Sequence, residues 1–255
     1  PHVFLETCPT WLKKEDWSSD STNTYVREST YALVTRYTGT SPQDKTLNDQ
    51  VARAALALWI AGPVNIQWRL TVHAKVDNGT PTRHIWSTRQ SVVPHKAYYK
   101  SSLTDGMLEM SKAIAAKIVG LTEGPVWIAV KSLFMALQQD WWEGRFLLFW
   151  VGLEALFSPD AEVSFRVSLR MARLLKGNTR KAKLVFRSIK TSYNIRSKVA
   201  HGQPLKKVEG NYSGRISLHS ELLLRDSLRK VVLTPEILAA CQSKNRNEYL
   251  DALCV

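Results

Sequence analysis

Residues 163–202 read VSFRVSLRMARLLKGNTRKAKLVFRSIKTSYNIRSKVAHG, and they form two amphipathic segments separated by Gly177, Asn178 and Thr179. In the first segment, basic residues recur at steps of four, three and three, which places them on one face of a helix. Apolar residues recur on another face, so this helix can pack against a core. The basic residues are Arg166, Arg170, Arg173 and Lys176, and the apolar residues are Val163, Val167, Met171 and Leu174.

The second segment predicts another helix, over 180–201, with a polar and an apolar side. The polar side holds Arg180, Lys183, Arg187, Lys190, Asn194 and Lys198, and the apolar side holds Ala182, Phe186, Ile189 and Tyr193. The next position on the apolar side is Arg196. We expect this arginine to face the packed side of the helix, where its charge needs a partner.

The two predicted helices carry most of the net positive charge of the chain. Between residues 163 and 208 there are thirteen Lys and Arg residues and no Asp or Glu, which matches the formal net charge of +13 for all 255 residues. Like charges repel and oppose compaction, so stability does not explain this concentration. The pattern indicates a polyanion partner such as RNA. The predicted RNA contacts are Arg166, Arg170, Arg173, Lys183, Arg187 and Lys190.

Outward from this stretch, the sequence predicts a mainly α protein. The apolar spacing is helical from residue 101 onward, and the turn signals between the periodic segments are rich in Gly and Pro. We therefore expect a helical bundle domain over 121–255. The predicted helices lie near 103–120, 125–140, 143–157, 161–176, 180–201, 217–231 and 235–251.

The preceding region, 1–120, is expected to be a small α+β domain of unknown role. Apolar and polar residues alternate from Val64 to Val76, and the segment Asp77-Asn78-Gly79-Thr80 is a strong turn signal, which together predict a β-hairpin. One hypothesis assigns this region to a regulatory ligand or partner, although no residue in it identifies either. The remaining predicted elements are a return strand at 83–93, a strand within 25–37 and a helix at 48–61.

Composition and cysteine usage exclude several classes of protein. The chain is 44% hydrophobic and 22% charged, as in folded globular proteins. The best candidate for a membrane span, residues 146–153, is about eight residues long, well short of the roughly 18–20 that span a bilayer, and the first residues show no signal peptide. Cys8, Cys241 and Cys254 are widely spaced, which predicts neither a disulfide framework nor a zinc site and fits a reducing cytoplasm. His73 and His84 lack a converging acidic residue or cysteine, so no metal and no cofactor is expected.

Arg196 and His201 have the residue types that RNA cleavage needs. RNA is cut without a metal when a base takes the 2′-OH proton, an acid protonates the leaving 5′ oxygen, and a cation stabilises the phosphorane. Histidine suits both proton transfers, and the planar arginine fork suits the phosphate. The spacing alone is not specific, because random placement gives roughly one such match in this chain. Arg89 and His95 match it as well.

Three sequence blocks around this pair resemble the Apea-like HEPN domain family. FWVGLEALF at 149–157 is similar to the "alEaLf" helix of that family, and EVSFRVSLRMARLL at 162–175 is similar to its next helix. YNIRSKVAHG at 193–202 is similar to its "Y-x-x-R-S-x-x-x-H-G" ending. The blocks follow the order of the family, and the match extends over roughly 143–202.

The resemblance implies a dimeric HEPN-like helical bundle in which the Arg–His motif lines a cleft between protomers. Many HEPN domains are metal-independent endoribonucleases in toxin–antitoxin, anti-phage or RNA-processing systems, and others only bind. On this basis Arg196 and His201 are expected to be catalytic, with Glu154, Ser197 and Lys198 in support. The predicted function is RNA cleavage by 2′-OH attack, and the alternative is a non-catalytic RNA-binding or dimerisation module. The expected partners are RNA and a second copy of the chain, without a membrane.

Each of these residues also has a structural interpretation. Arg196 can bridge helix ends, and His201 can cap the last turn before Gly202, where a cation favours the helix dipole. Glu154 can form a salt bridge to Arg170 or to Arg196, or it can orient the catalytic arginine. Arg170 and Arg173 can contact RNA or simply lie on a solvated face, and Tyr193 can belong to the core or stack on a base.

Overall fold

The computed structural model describes residues 3–7, 31–35, 45–63, 70–77, 80–88, 103–121, 123–157, 159, 162–177, 179–205 and 213–254. Helices make up most of these residues, so the predicted mainly α fold is confirmed. In chain order the elements are β1 (Val3–Thr7), β2 (Tyr31–Thr35), α1 (Lys45–Ala61), β3 (Leu70–Asp77), β4 (Thr80–Thr88), α2 (Asp105–Ile118), α3 (Pro125–Leu137), α4 (Trp142–Phe157), α5 (Val163–Lys176), α6 (Arg180–Ala200), α7 (Ser213–Leu233), α8 (Pro235–Gln242) and α9 (Arg246–Ala252).

The helices predicted after residue 101 are present with shifted ends, apart from the one predicted over 235–251. That segment forms two helices, because the chain turns between Ser243 and Asn245. The Ser243 hydroxyl donates to the Ala240 carbonyl at 2.9 Å and accepts the Asn245 N–H at 3.2 Å. Serine and asparagine compete with the helix in this way for backbone groups, so the single helix was a wrong prediction.

The strands pair in two antiparallel sets. β1 pairs with β2, which lies inside the strand predicted within 25–37, and α1 packs against both strands. β3 pairs with β4, with a shift of register between Lys75 and Val76. Residues 78 and 79, where the turn of the predicted hairpin falls, lie outside the described residues, as do 64–69 and 89–93. The hairpin and the α+β character of 1–120 therefore stay predictions.

One hydrophobic core runs through the helices. Its largest fully buried side chains include Trp59 of α1 and Trp150 with Phe146, Phe149 and Phe157 of α4. Helix α7 packs against α1, α2, α3, α4, α5 and α8, so it lies at the centre of this arrangement. Since α1 and α2 share this core with the later helices, packing is continuous across residue 120, and the predicted boundary at 120/121 stays a prediction.

Arginine side chains satisfy the carboxyl ends of two helices. Arg229 of α7 donates to the carbonyls of Ile60 and Ala61 at the end of α1, the latter at 2.9 Å. Arg53 of α1 donates to the carbonyl of Ile118 at 2.6 Å and to that of Leu121 at 2.9 Å, at the end of α2. The last carbonyls of a helix have no partner within the helix and carry partial negative charge, so these contacts fix α1, α2 and α7 together.

Candidate functional site

Glu154 and Arg196 form an ion pair that joins α4 to α6. An Arg196 Nη2–H donates to Glu154 Oε2 at 2.7 Å, and the side chains of Arg196 and Glu154 are only 23% and 21% exposed. Helix α6 turns its apolar side toward the core, as its spacing predicts, and Arg196 continues that side. Of the two partners proposed for Glu154 from the sequence, Arg196 is therefore the one observed.

Aromatic rings line one side of this ion pair. The Arg196 guanidinium lies 5.7 Å from the centre of the Tyr193 ring, and Tyr193 meets Trp150 edge to face at 5.2 Å. Burial raises the pKa of the Glu154 carboxyl from its ordinary value, although Arg196 acts in the opposite direction. Burial and the nearby Glu154 carboxylate also raise the pKa of the Tyr193 hydroxyl. The low-dielectric surroundings strengthen any electrostatic contact made here.

Three buried polar atoms at this place have no hydrogen-bond partner among the described residues. They are Glu154 Oε1, Arg196 Nε and Trp150 Nε1. Buried polar groups in folded proteins are nearly always paired, and exceptions often mark a functional site or a bound water or ion. The pair thus leaves one buried arginine N–H donor, Nε–H, beside an aromatic surface and without an acceptor among the described residues.

His201 is held by a complete helix-ending motif. The Gly202 N–H donates to the Val199 carbonyl at 3.2 Å, and the Gln203 N–H donates to the Lys198 carbonyl at 2.8 Å. Gly202 has a φ of 62°, in the left-handed region that this motif needs. His201 is thus the C-cap of α6, and its side chain is exposed to solvent. The Gly202 of the sequence motif has a clear structural role, since it stops the helix directly after the histidine.

Helix geometry directs the Arg196 and His201 side chains to different sides of α6 within one chain. Five residues of helix turn the direction of a side chain by about 140° and advance the backbone by about 7.5 Å. Arg196 accordingly points toward α4, whereas His201 projects from the end of α6. Ser197 and Lys198 are half-buried on the turn between them, and the Ser197 carbonyl accepts the His201 N–H at 3.1 Å.

Arg170 does not lie where the sequence places it, on the exposed basic face of α5. Its side chain is fully buried, so its predicted place on the exposed face of α5 is wrong. The guanidinium donates to Asp251 Oδ1 at 2.8 Å and to the Phe157 carbonyl and Asn247 Oδ1, both at 3.0 Å. Spacing within one helix cannot reveal such partners, because they lie up to 81 positions away in the sequence. In this conformation Arg170 is a core residue that fastens α9 to α5.

The other basic residues of the predicted RNA surface differ in their exposure. Arg166 shares Asp251 with Arg170, and Arg173 is half-buried. On α6, the side chains of Lys183, Arg187 and Lys190 are exposed, as their polar-side positions predict. The exposed positive surface near the site therefore belongs mainly to α6.

Comparison of the chain with protein-family models, curated proteins and solved structures gives no match. The HEPN resemblance consequently stays a prediction that rests on the quoted residues. None of the helices in the described part of the chain is both long and apolar enough to cross a lipid bilayer.

Proposed function

We propose that this chain is a metal-independent endoribonuclease with a HEPN-like helical bundle. The observation that carries the proposal is the state of Arg196, which is oriented by Glu154 at 2.7 Å and keeps a buried Nε–H with no hydrogen-bond partner among the described residues. Arg196 lies on α6, and the exposed His201 is the C-cap of the same helix. An oriented cation and a titratable group on one basic helix support phosphodiester chemistry.

The proposed reaction uses only groups of the protein and the RNA. A base takes the proton of a 2′-OH, and the 2′ oxygen attacks the adjacent phosphorus. The bond from phosphorus to the 5′ oxygen then breaks, and an acid gives a proton to that oxygen. The products are a 2′,3′-cyclic phosphate and a 5′-OH end. His201 is the acid or base, Arg196 stabilises the charge on the phosphorane, and Ser197 and Lys198 support the motif.

The reaction needs both a base and an acid, whereas one chain offers one His201. A homodimer with two motifs across a cleft supplies both, and two-fold pairing is the commonest form of self-association. Exposed apolar side chains support such a dimer. On α3, Ile128 and Met135 are 43% and 50% exposed, and their seven-residue spacing places them on one face. On α4, Val151 is 42% exposed one turn before Glu154.

The test of the proposal is RNA cleavage in EDTA by the full chain and by His201→Ala. The wild type should release 2′,3′-cyclic phosphate ends, and the variant should lose cleavage by at least about a hundredfold because it lacks the proton-transfer group. Its RNA affinity should change little. Wild-type protein that leaves a mixed RNA pool intact, with and without divalent metal, rules the proposal out.

Glu154→Gln tests the orienting role of the carboxylate. The amide can still accept a hydrogen bond from Arg196 but loses the charge, so cleavage should fall by about tenfold or more while α4 remains folded. Glu143→Gln is the matched control, since it removes the same charge from the first turn of the same helix. Equal cleavage by the two variants, measured at equal helical content, would contradict a role for Glu154 at the site.

The rival function is non-catalytic RNA binding or dimerisation, and one observation favours it. Arg196 and His201 point in different directions in the single chain, so His201 can serve simply as the cap of α6. On this hypothesis the exposed residues Lys183, Arg187 and Lys190 bind phosphates by charge alone. His201→Ala would then retain RNA affinity and any cellular toxicity in full, and no cyclic phosphate would form with either protein.

The proposal also covers the biological role of the protein and its cellular compartment. The resemblance implies a toxin or anti-phage effector that acts on RNA in the cytoplasm, and the α+β region over 1–120 would receive the regulatory partner or ligand. The cysteines support a reducing compartment. Cys241 is buried and not bonded to another cysteine, and burial raises the pKa of its thiol to about 11, so it stays protonated.

A further inference from the structure

Two phenylalanine rings meet where α5 packs against α6. Phe165 of α5 and Phe186 of α6 lie edge to face, with ring centres 5.5 Å apart and ring planes at 74° to each other. Phe186 is half-buried and packs against the hydrophobic core, which fixes the position of its ring. Phe165 is 47% exposed, so a large part of its side chain is accessible to a ligand. The two rings form an aromatic surface that is anchored on one side and open on the other.

Exposed cations lie beside this aromatic surface on α6. Lys183 precedes Phe186 by three positions and Lys190 follows it by four, so both lysines neighbour the Phe186 side chain on the surface of the helix. Both lysine side chains are exposed. On α5, the exposed carboxylate of Glu162 lies one turn before Phe165 and would repel a phosphate. The phosphates of a ligand on the two rings should therefore lie on the α6 side.

The combination of rings and cations indicates the class of ligand. A single exposed apolar side chain is ordinary on a protein surface and indicates no ligand by itself. Proteins that bind single-stranded nucleic acid place aromatic rings, on which bases stack, beside cations that contact the backbone phosphates. The bases of a duplex already stack on one another, whereas an unpaired base can stack on a protein ring. The surface thus fits an unpaired base with its neighbouring phosphates.

We propose that Phe165 and Phe186 form a stacking site for an unpaired base of RNA, and that Lys183 and Lys190 contact the adjoining phosphates. The site rests on the RNA partner of the proposed function and lies outside the proposed catalytic motif. Arg196 follows Phe186 by ten positions, which is about 15 Å along the axis of α6. A single strand that contacts both places extends along α6, so the stacking site favours single-stranded regions of the RNA.

The test measures the affinity of the full chain for a short fluorescent single-stranded RNA and for a blunt RNA duplex of the same length. The proteins carry His201→Ala, so that neither RNA is cut during the measurement. Phe165→Leu keeps an apolar side chain but removes the ring. It should weaken binding of the single strand by at least about fivefold and binding of the duplex by less than about twofold. Phe165→Trp keeps a ring and should bind the single strand at least as tightly as phenylalanine does.

The salt dependence of binding separates the rings from the cations. Replacement of Lys183 and Lys190 by Gln should weaken binding of both RNAs and flatten the log–log salt slope by up to about one unit per lost contact. Phe165→Leu should leave that slope unchanged, because stacking releases no counterions. Leu184→Ala is the control, since it removes a 65% exposed apolar side chain that projects about 200° around α6 from Phe186. It should change either affinity by less than about twofold.

The proposal is overturned if Phe165→Leu binds the single strand as tightly as phenylalanine does, or if it weakens binding of both RNAs equally. It is also overturned if Phe165→Leu changes the oligomeric state in light scattering and leaves the RNA affinity unchanged. The rings would then belong to a contact between two copies of the chain. Equal circular dichroism and melting temperatures of the variants show that lost binding is not lost folding.

The stacking site and the nuclease activity fail separately. Absence of cleavage by the wild type, together with the selective effect of Phe165→Leu on the single strand, removes the nuclease alone. Cleavage by the wild type, together with an unchanged single-strand affinity of Phe165→Leu, removes the stacking site alone.

Discussion

At the scale of single residues, the conformation of Gly202 decides where α6 ends and therefore where His201 stands. A residue with φ of 62° is in the left-handed region, which costs other amino acids roughly 1–2 kcal/mol, with asparagine among the least penalised. Among the described residues beyond its chain neighbours, no heavy atom lies within 4 Å of where a Cβ would be, so the backbone conformation is what opposes a side chain here. The glycine of the sequence motif thus acts through the backbone.

The first prediction concerns this glycine. Gly202→Ala should lower the free energy of unfolding by about 1 kcal/mol and should also reduce RNA cleavage, because the last turn of α6 loses its stop. Gly202→Asn should lose less free energy of unfolding and less RNA cleavage than Gly202→Ala. Urea unfolding and cleavage rates of the two variants provide the measurement. If alanine and asparagine cost the same, the left-handed conformation is not what the position requires.

At the scale of elements, Gly152 sets the distance between α4 and its neighbours α3 and α7. A Cβ built at Gly152 would meet Leu224 Cδ2 at 2.9 Å and Ser132 Cβ at 3.2 Å. Leu224 is fully buried and cannot swing away, so the close approach depends on the missing side chain. The same contact holds α4, and with it Glu154, in place.

The second prediction compares two glycines in helices. Alanine is the better helix former by about 1 kcal/mol, but overpacking a tight core costs about 1–3 kcal/mol. Gly152→Ala should therefore lower the free energy of unfolding by about 1 kcal/mol. Gly106→Ala on α2, where a Cβ meets no atom of the described residues within 4 Å, should raise the free energy of unfolding by about 0.5 kcal/mol. Opposite signs in urea unfolding support the packing argument, and two stabilising changes would refute it.

A third prediction concerns how much the contacts of Asp251, which join α9 to α5, contribute to stability. Hydrogen bonding and charge from Arg170, with a further contribution from Arg166, hold the pKa of the Asp251 carboxyl below its ordinary value of 3.8. A lowered pKa contributes stability that is fully present above 3.8 and is lost as the pH falls below it. Asp251→Asn should thus lower the free energy of unfolding by about 1 kcal/mol at pH 7. The loss should become progressively smaller as the pH falls below 3.8.

The measurement for Asp251 is urea unfolding at pH 7 and at pH 3. Asp226→Asn is the control, since its 47% exposed carboxylate pairs with Arg229 within one helix. That variant should lose less than about 0.5 kcal/mol at pH 7. A loss for Asp251→Asn that is the same at both pH values would show that the carboxylate charge contributes nothing.

At the scale of the whole molecule, the sequence predicts what depends on local periodicity and misses what depends on distant partners. The ends of α4, α5 and α6 agree to within two residues with those predicted from apolar spacing and turn residues. The packed position of Arg196 follows from the apolar side of its helix. The burial of Arg170 could not be foreseen, because its partners stand on α9. The Ser188–His219 contact between α6 and α7 could not be foreseen for the same reason, since the two residues are 31 positions apart.

The charge distribution of the whole chain bears on the proposed dimer. Two basic α6 helices near one two-fold axis repel each other, so the contact must rest on apolar residues of the 125–157 region. Ile128 and Met135 of α3 are exposed there and lie on one face of the helix, so they can form such a contact. Salt screens repulsion between exposed charges at distances beyond about 8–10 Å, and RNA neutralises them directly. The dimer should therefore form more readily when either salt or RNA is added.

The last prediction is that light scattering detects a homodimer at tens of micromolar, with a dissociation constant that falls when salt or RNA is added. Ile128→Glu and Met135→Glu should each shift the protein toward the monomer, because a charge on the apolar face must be desolvated in the interface. Leu233→Glu is the control, since it places the same charge at a 37% exposed position on α7. A monomer that persists with RNA and in high salt would contradict the dimer, and the second His201 would then be missing from the proposed reaction.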